Sequence, residues 1–360
     1  MPPSTQQIVE SFIRERLIER QAEFLVSDDR RTTRQLTIDT ARERGLTASW
    51  DEGDDRTYTL HTPDGEAIGS FRGYLCSANS SSAVKVGADK ELTKQFLAAQ
   101  DIPVPKGISF SARQFEAAVA YMDVAKHPMV FKPVTGDGGR GVSVNLRTGA
   151  QVRQAFEKIE NPTRHRFLLE EYIPGLDVRC YVVDGKVIAS ASRIPAHLIG
   201  DGHRTVFELL RAANAQRKTH PHHRLFPIRP DWAALKRRRI LKSDIPKKNE
   251  VVILNFVFNL HKGGYCIDVT DDLDVELQDL AVRAAAAIPG SPMVAVDLQV
   301  TSLTNPDRAV VLEVNHHGNF RIHHVPAYGT PRDVAGAIID ELLRQHRSTV
   351  ESQRAPESTP

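Results

Sequence analysis

The sequence has few cysteines, and no two of them have the spacing of a metal-binding or redox pair. The three cysteines, Cys76, Cys180 and Cys266, lie far apart along the chain. Such a set supports neither a disulfide framework nor a zinc knuckle, and it suits a reducing compartment. The first residues, 1–6, also lack the charged start and apolar core of a signal peptide. We therefore expect a cytoplasmic protein.

Long apolar runs are absent as well. No run approaches the roughly 18 residues of a membrane span, so we expect no membrane association. The composition is 41% hydrophobic and 26% charged, which excludes disorder as the main state. A chain of 360 residues can form two or three domains.

The formal net charge of +2 conceals one basic segment. Residues 211–250 contain 12 Lys/Arg against three acidic residues. Such a segment could bind nucleic acid, border a site for polyanionic ligands, or form a solvated helix face. It lies between two of the motifs described below, which favours the mouth of a ligand site over nucleic-acid binding.

The first hundred residues predict a small mixed region. Residues 5–26 have helical apolar spacing and predict an amphipathic helix that packs on a core or in a homo-oligomer. Residues 46–74 alternate short β-like runs with turn signals. A helix is predicted over residues 89–99, and it ends before the two prolines of residues 102–105.

A glycine-rich loop lies between two short predicted strands. Residues 130–134 and 142–146 are strand-like, and residues 135–141 read Thr-Gly-Asp-Gly-Gly-Arg-Gly. The alternation after the loop excludes a Rossmann motif, which would need a helix there. Glycine backbone can approach phosphates closely, and Arg140 adds positive charge, so a triphosphate clamp is one interpretation and a ligand-free tight hairpin is the other. The glycines concerned are Gly136, Gly138, Gly139 and Gly141.

Two lysines and one strand end extend the phosphate interpretation. Lys132 lies in the strand that enters the loop, and Lys90 begins the predicted helix about forty residues earlier. Together they could reach the phosphates of one nucleotide. Farther on, an apolar strand runs into Glu170 and Glu171 and then through a turn to Asp177. Such a hinge can bind an adenine edge and a ribose, or it can be a strand end with solvated acids.

The clearest constellation is a predicted hairpin in the C-terminal half. Residues 293–300 and 310–315 are two strands joined by a turn around residues 305–307. Glu313 and Asn315 share a face, and a suitable register places them beside Asp297. Three oxygen ligands of this type suit Mg²⁺. The alternative explanation for acidic residues inside these strands is a salt bridge between the strand pair. By contrast, residues 220–223, which include three histidines, predict a basic loop and not a transition-metal site.

The order of these motifs resembles the ATP-grasp superfamily of carboxylate–amine ligases over about residues 80–345. The resemblance is greatest to the ATP-grasp portion of cyanophycin synthetase and of the bifunctional glutathione synthetases. The segments that carry it are residues 89–94, the Lys132 strand with its glycine loop, residues 170–177, residues 193–202, 259–264 and 268–271, and the hairpin with residues 320–323.

The resemblance implies an α+β protein with an ATP-grasp fold, in which two α+β lobes grip ATP. It implies an N-terminal region at residues 1–86, a small lobe with the glycine loop at 87–166, a large lobe with the metal site at 167–345, and a disordered tail at 346–360. Relatives continue into a Mur-ligase-like domain, whereas this chain ends in a polar segment, so we expect no polymerisation of that kind.

Site roles carry over from the resemblance position by position. Lys90 and Lys132 would hold the α- and β-phosphates, with the glycine loop. Glu170, Glu171 and the backbone of Tyr172 and Ile173 would take the adenine, and Asp177 the ribose. Asp297, Glu313 and Asn315 would hold two Mg²⁺ ions, with Mn²⁺ as an alternative. Arg193 and Arg321 would bind the acceptor carboxylate or the acyl phosphate, because planar guanidinium groups suit oxyanions.

The sequence departs from its relatives at two places. The usual Asn-Leu-Ser-Thr-Gly-Gly reads Asn-Leu-His-Lys-Gly-Gly at residues 259–264, and His316 and His317 follow Asn315 where relatives carry small residues. Both differences fall where substrates would sit, so Lys262, Gly263, Gly264, His316 and His317 are candidate substrate contacts. The resemblance leaves the two substrates open.

The implied activity is ATP-dependent joining of amino acids, or of an amino acid and a small peptide, through an acyl phosphate. A glutamyl donor follows by analogy with the glutathione relatives. An ATP-grasp small-molecule kinase is the alternative within enzymes, although the His-Arg-Asp and Asp-Phe-Gly elements of protein kinases are missing. A nucleic-acid-binding protein that uses residues 211–250 is the alternative from another class.

Overall fold

The computed structural model describes residues 3–51, 53–136 and 138–354, with the side chains of residues 353 and 354 left out. Within these residues it contains eleven α-helices and fifteen β-strands. The N-terminal elements are α1 (Thr5–Ile13), a π-helical turn (Arg14–Glu19), α2 (Thr33–Glu43), β1 (Thr47–Asp51), β2 (Asp54–His61), β3 (Ala67–Arg72) and β4 (Leu75–Cys76).

The central elements form the second group. They are α3 (Ser81–Ala88), α4 (Lys90–Ala98), β5 (Gly107–Ser111), α5 (Phe115–Val124), β6 (Met129–Pro133), β7 (Ser143–Leu146), α6 (Gly149–Glu157) and β8 (Arg166–Glu171).

The third group begins with β9 (Leu176–Val183), β10 (Lys186–Ile194), β11 (His197–Ile199), α7 (Val206–Arg217), α8 (Trp232–Arg237) and β12 (Val251–Ile253). It continues with β13 (Tyr265–Asp268), α9 (Val275–Ala286), β14 (Met293–Val300), β15 (Val310–Asn315), α10 (Arg321–His324) and α11 (Val334–Arg354).

The predicted strand-rich region is a four-stranded antiparallel sheet in the order β1-β2-β3-β4. Its apolar side chains, Tyr58 and Phe71 among them, share a core with residues of α2 and α11. This sheet therefore packs against the last helix of the chain, and it covers part of one face of the largest sheet through Tyr181 and Ala295.

The small sheet has the order β5-β8-β6-β7 and carries the glycine loop between β6 and β7. Strand alternation places Phe131 and Phe167 on one face, where their rings stack at 5.2 Å between centroids in a core with residues of α5 and α6. The same alternation places Lys132 and Glu170 on the other face. One face is thus sealed, and the opposite face is left for charged side chains.

The large sheet has the order β13-β10-β9-β14-β15 and is antiparallel throughout. All side chains of β9 and β14 are buried. One face, with Val178 and Val296, packs in a core with residues of α1 and α9. The other face carries a row of ionisable side chains, which we call the polar face: Asp177, Arg179, Arg193, Asp297 and Glu313.

Two predictions about the chain ends need correction. Helix α1 ends at Ile13 and passes into the π-helical turn, so the helix predicted to Val26 is shorter. Residues 346–354 are part of α11 and not a disordered tail, because the hydroxyls of Ser348, Thr349 and Ser352 bond carbonyls four residues earlier within the helix. Residues 355–360 lie outside the described residues. Within the described ranges, no helix has the length and apolar character to cross a membrane.

Candidate functional site

The hairpin of β14 and β15 forms with the register that the sequence requires. Asp297 lies directly opposite Glu313, and Ala295 lies opposite Asn315, with a bulge just after Asp297. Because side chains alternate along each strand, Asp297, Glu313 and Asn315 share the polar face. The Asn315 side-chain carbonyl accepts a hydrogen bond from the His317 backbone N–H at 2.8 Å, which orients the amide.

Two arginines form hydrogen-bonded ion pairs with the Asp297 carboxylate. Arg179 donates from Nε and Nη2 to its two oxygens, at 2.7 and 2.8 Å. Arg193 donates from Nη2 to Asp297 Oδ2 at 2.9 Å, and it also forms a two-pronged pair with Asp177 at 2.5 and 2.8 Å. Two acids and two arginines thus form one buried network with no net charge.

The network holds its charges against burial. Burial alone would raise the pKa of Asp297, but Arg179 and Arg193 outweigh it and hold that pKa well below the usual range. Burial likewise opposes the charge of Arg193, and Asp177 and Asp297 raise its pKa above the ordinary value. The pKa of Asp177 is raised by burial and by Asp297, although Arg193 opposes the shift. The network therefore presents charged arginine edges to the polar face.

Glu313 differs from Asp297 in having no partner. Its side chain is half-buried, and its carboxylate forms no hydrogen bond or ion pair within the described part of the chain. A carboxylate aimed along a polar face, beside the oxygens of Asp297 and Asn315, is the donor set that a hard divalent ion prefers. The described residues contain no metal-binding group of three His, Cys, Asp or Glu side chains. The set at the hairpin is of a different kind, because it has two carboxylates and one amide. The residues present therefore fit Mg²⁺, while the salt-bridge alternative also applies to Asp297.

The glycine loop has the backbone geometry that its composition predicts. Gly136, Gly138, Gly139 and Gly141 all have positive φ, at 124°, 63°, 73° and 70°. The Lys90 ammonium donates to the carbonyl of Gly136 at 2.8 Å. The loop is also held from the large-sheet side, where Asn259 Nδ2 donates to the carbonyl of Gly138 at 2.9 Å. The structure thus brings Lys90, the glycine loop and the 259–264 loop together.

Lys132 and a second lysine share the carboxylate of Glu170. Lys132 Nζ lies 2.5 Å from Glu170 Oε1, and Lys94 Nζ contacts Oε2. Burial opposes ionisation of Glu170, yet the two lysines outweigh it and lower its pKa. Burial lowers the pKa of Lys94 to about 8 despite Glu170. In this structure the Glu170 carboxylate pairs with both lysines, and the adenine contact predicted for it stays a prediction.

Lys94 was missed among the candidate site residues. It lies one helical turn after Lys90 on α4, and an i, i+4 pair of lysines on one helix face was the available signal. Arg179 was missed as well. Its signal was a charged residue at an alternating position inside the apolar strand β9, two residues after Asp177.

The predicted adenine hinge is tied to three other segments. The Tyr172 N–H donates to the carbonyl of Pro128 at 2.8 Å, and its hydroxyl bonds Thr5 Oγ1 at 2.5 Å. The Glu171 carboxylate accepts from the Lys106 N–H at 3.0 Å. Within the described residues the Ile173 N–H has no backbone partner.

Several candidate substrate residues lie away from the polar face. His316 follows Asn315 and points the opposite way, where its Nε2 bonds Ser291 Oγ at 2.8 Å, so the structure does not support it as a substrate contact. His317 and Lys262 are exposed. Gly263 and Gly264, at the end of the 259–264 loop, are buried, and Arg321 donates to the carbonyl of Arg31 at 2.6 Å.

Comparisons with known proteins agree with this architecture. Residues 87–201 match the model of the RimK-like ATP-grasp domain. The chain is 36% identical over 275 residues to cyanophycin synthetase of Nostoc sp., across 74% of this chain and 30% of that protein. It is 30% identical over 277 residues to the glutathione biosynthesis bifunctional protein GshAB of Enterococcus faecalis, across 71% of this chain and 36% of that protein.

A solved structure shows the same fold. The bifunctional glutathione synthetase from Pasteurella multocida matches with a TM-score of 0.64 and 24% identity, over 87% of this chain and 44% of that one. The chain spans about a third of the length of the curated relatives it matches. The ATP-grasp resemblance and the α+β class predicted from the sequence are confirmed: this chain is an ATP-grasp protein, with a RimK-like ATP-grasp domain at residues 87–201.

Proposed function

We propose that the protein is an ATP-dependent carboxylate–amine ligase that joins amino acids, or an amino acid and a small peptide. One observation carries this proposal. The Asn259 side chain links the glycine loop of the small sheet to the loop that leads into β13 of the large sheet. Phosphate-binding groups and an oxygen-rich, arginine-rich face thereby border one cleft, as phosphoryl transfer to a carboxylate requires.

The nucleotide would lie along the small-sheet side. Lys90 and Lys132 would hold its α- and β-phosphates, and the glycine loop would add backbone N–H donors. The base would reach the Ile173 amide at the hinge. Asp177 would take the ribose, sharing its carboxylate with Arg193. In this proposal ATP is the co-substrate. The protein acts in the cytoplasm.

The metal-binding residues of the polar face would be Asp297, Glu313 and Asn315. Two Mg²⁺ ions, or Mn²⁺ in their place, would neutralise charge on the phosphates when bound there. Glu313 is the ligand that needs no rearrangement, because its carboxylate forms no ion pair with any described residue.

The chemistry needs no nucleophile from the protein. A substrate carboxylate oxygen attacks the γ-phosphorus of ATP. The bond between the γ-phosphorus and the β,γ-bridging oxygen breaks, which gives an acyl phosphate and ADP. An amine nitrogen then attacks the acyl carbon, the bond to phosphate breaks, and the amine loses a proton as the amide forms. Arg179 and Arg193 present buried, charged N–H donors to the oxyanions of both steps.

The test is release of ADP and phosphate with pairs of amino acids and dipeptides, starting with L-glutamate as the donor. A working pair should stimulate release, and the product mass should equal that of an amide. A product that carries a stable phosphate ester would instead identify a small-molecule kinase. If no pair stimulates release although Mg·ATP binds, the ligase proposal is wrong.

A further inference from the structure

Two of the buried arginines lack an acidic partner. The buried arginines are Arg16, Arg179, Arg217 and Arg321. Arg16 and Arg179 each pair with an aspartate, at 2.5 and 2.7 Å. Arg217 and Arg321 form no ion pair with any acid in the described residues. A buried guanidinium without a counter-charge is costly, so these two side chains indicate a place where an anion belongs.

The groups that Arg217 and Arg321 do bind are neutral: backbone carbonyls and two histidine rings. Arg217 donates from Nε and Nη2 to the carbonyl of Phe226, at 3.0 and 2.8 Å, and it lies 4.6 Å above the Tyr265 ring. Arg321 donates to the carbonyl of Arg31 at 2.6 Å. The carboxylate of Asp29, which lies close by, is held by Arg31. Neither guanidinium charge is therefore compensated by its direct partners.

Three histidines lie between the two arginines, and one of them is purely structural. His220 Nδ1 accepts from the backbone N–H groups of His222 and His223, at 3.0 and 3.1 Å. Its Nε2 must then carry the hydrogen, which it donates to the carbonyl of Pro326 at 3.1 Å. Both ring nitrogens of His220 are satisfied, so this ring fixes the loop and has no capacity left for a ligand.

The other two histidines each have an unused donor. His223 Nδ1 accepts from Arg217 Nη2 at 3.2 Å, and His222 Nδ1 accepts from Arg321 Nη1 at 3.4 Å. Burial lowers the pKa of both rings, that of His222 to about 3, so both are neutral and carry their hydrogen on Nε2. These two Nε2 atoms and Arg217 Nη1 are buried and have no hydrogen-bond partner among the described residues. All three unmatched atoms are donors, so the missing group is an acceptor.

We propose that Arg217, His222, His223 and Arg321, which we call the arginine–histidine cluster, bind a carboxylate group of one of the two substrates. Two guanidiniums and two neutral imidazole N–H donors complement a planar anion with several acceptor positions. This inference rests on the proposed ligase function for the identity of the ligand. The cluster itself rests on the unmatched donors and charges alone.

The position of the cluster separates it from the nucleotide. Arg217 Nη2 also donates to the carbonyl of Gly264 at 3.3 Å, and the Phe226 ring lies 4.4 Å from that of His261. Both contacts are to the 259–264 loop, whose first residue, Asn259, meets the glycine loop. The phosphate-binding lysines lie on the small sheet and α4, so the anion at the cluster is a substrate carboxylate and not a phosphate of ATP.

The experiment compares acetate with acetamide as probes of the full chain without nucleotide, with ionic strength balanced by sodium chloride. Acetate should raise the Tm of the wild-type protein by about 2 °C or more relative to acetamide. His222→Phe keeps a ring of similar size and removes the unmatched donor. It also removes the long Nδ1 contact with Arg321, so its Tm should stay close to that of wild type, and it should lose the acetate response. Arg217→Met should lose the response as well.

Two control variants separate binding from general destabilisation. Val152→Ala removes buried apolar contacts from the small-sheet core, away from the cluster, so it should lower Tm and keep the acetate response. Arg204→Met removes an exposed arginine and should change neither property. The proposal is overturned if wild type responds equally to acetate and acetamide, or if His222→Phe and Arg217→Met respond as wild type does. If the wild-type protein did not bind Mg·ATP, the ligase function would be contradicted. The acetate result would still decide whether the arginine–histidine cluster binds a carboxylate.

Discussion

Asp297 and Glu313 face each other across β14 and β15, yet only Asp297 is paired with arginine. The two carboxylates therefore have different roles in the ligand-free protein. Asp297 is a structural counter-charge for Arg179 and Arg193, while Glu313 contributes no hydrogen bond or ion pair in the described part of the chain. Substitutions at the two positions should separate stability from activity.

Glu313→Gln should abolish turnover without destabilising the protein. The change removes one negative charge from the metal-binding set, so ADP release should fall about 100-fold or more. The free energy of unfolding should stay within about 0.5 kcal/mol of wild type, since no partner is lost. Both are measured on the same preparation, by ADP release and urea denaturation. Activity close to wild type would remove Glu313 from the metal site.

Asp297→Asn should destabilise the ligand-free protein strongly. The variant leaves the buried Arg179 guanidinium without its carboxylate and Arg193 with Asp177 alone, and breaking a buried pair of this kind costs about 3–5 kcal/mol. Asp279→Asn is the matched control, because Asp279 forms an exposed ion pair with Arg283 at 2.7 Å and its loss should cost less than about 1 kcal/mol. Equal urea midpoints for the two variants would contradict the structural role of Asp297.

The hairpin, the glycine loop and the lysines were predictable because their signals are local. Strand alternation fixes which of residues 297, 313 and 315 share a face, and glycines fix the loop. The partners of Asp297 were not predictable, because Arg179 and Arg193 reach it from strands more than a hundred residues away in sequence.

The histidines of residues 220–223 show the same limit. Their polar neighbours predict a solvated basic loop, but His220 and His223 are completely buried. Phe24 and Tyr265 pack on them, and each of these rings comes from a distant part of the chain. Burial of a polar segment by remote aromatic residues leaves no local signal.

The protein should lose stability steeply below pH 6.5. Burial lowers the pKa of six histidines to about 3 or 4: His197, His220, His222, His316, His323 and His324. It also lowers the pKa of His223 well below its ordinary value. The unfolded chain, with histidine pKa near 6.5, then binds more protons than the folded chain between about pH 6.5 and 4. The stability is fully present above pH 6.5 and is lost as the pH falls through this window, by about 1.4 kcal/mol per pH unit for each histidine.

The measurement is the urea unfolding free energy from pH 8 to 5. His323→Phe removes one linked proton and should reduce the slope by about 1.4 kcal/mol per pH unit. A free energy that does not fall between pH 6.5 and 5 would show that these rings are not neutral and buried.

Asn259→Ala should weaken ATP binding while leaving the fold intact. The variant removes the hydrogen bond from Nδ2 to the carbonyl of Gly138, which ties the glycine loop to the large-sheet side. A hydrogen bond of this type contributes about 0.5–1.5 kcal/mol, so the Kd for Mg·ATP should rise about 2- to 10-fold. The control is His261→Ala, at an exposed neighbouring residue. In the described residues, the His261 backbone N–H makes the only other hydrogen bond to the Asn259 side-chain amide, and this substitution keeps it, so the Kd should not change. Calorimetric titration of Mg·ATP into both variants measures the effect, and equal Kd values would mean that the Asn259 bridge does not hold the loop over the nucleotide.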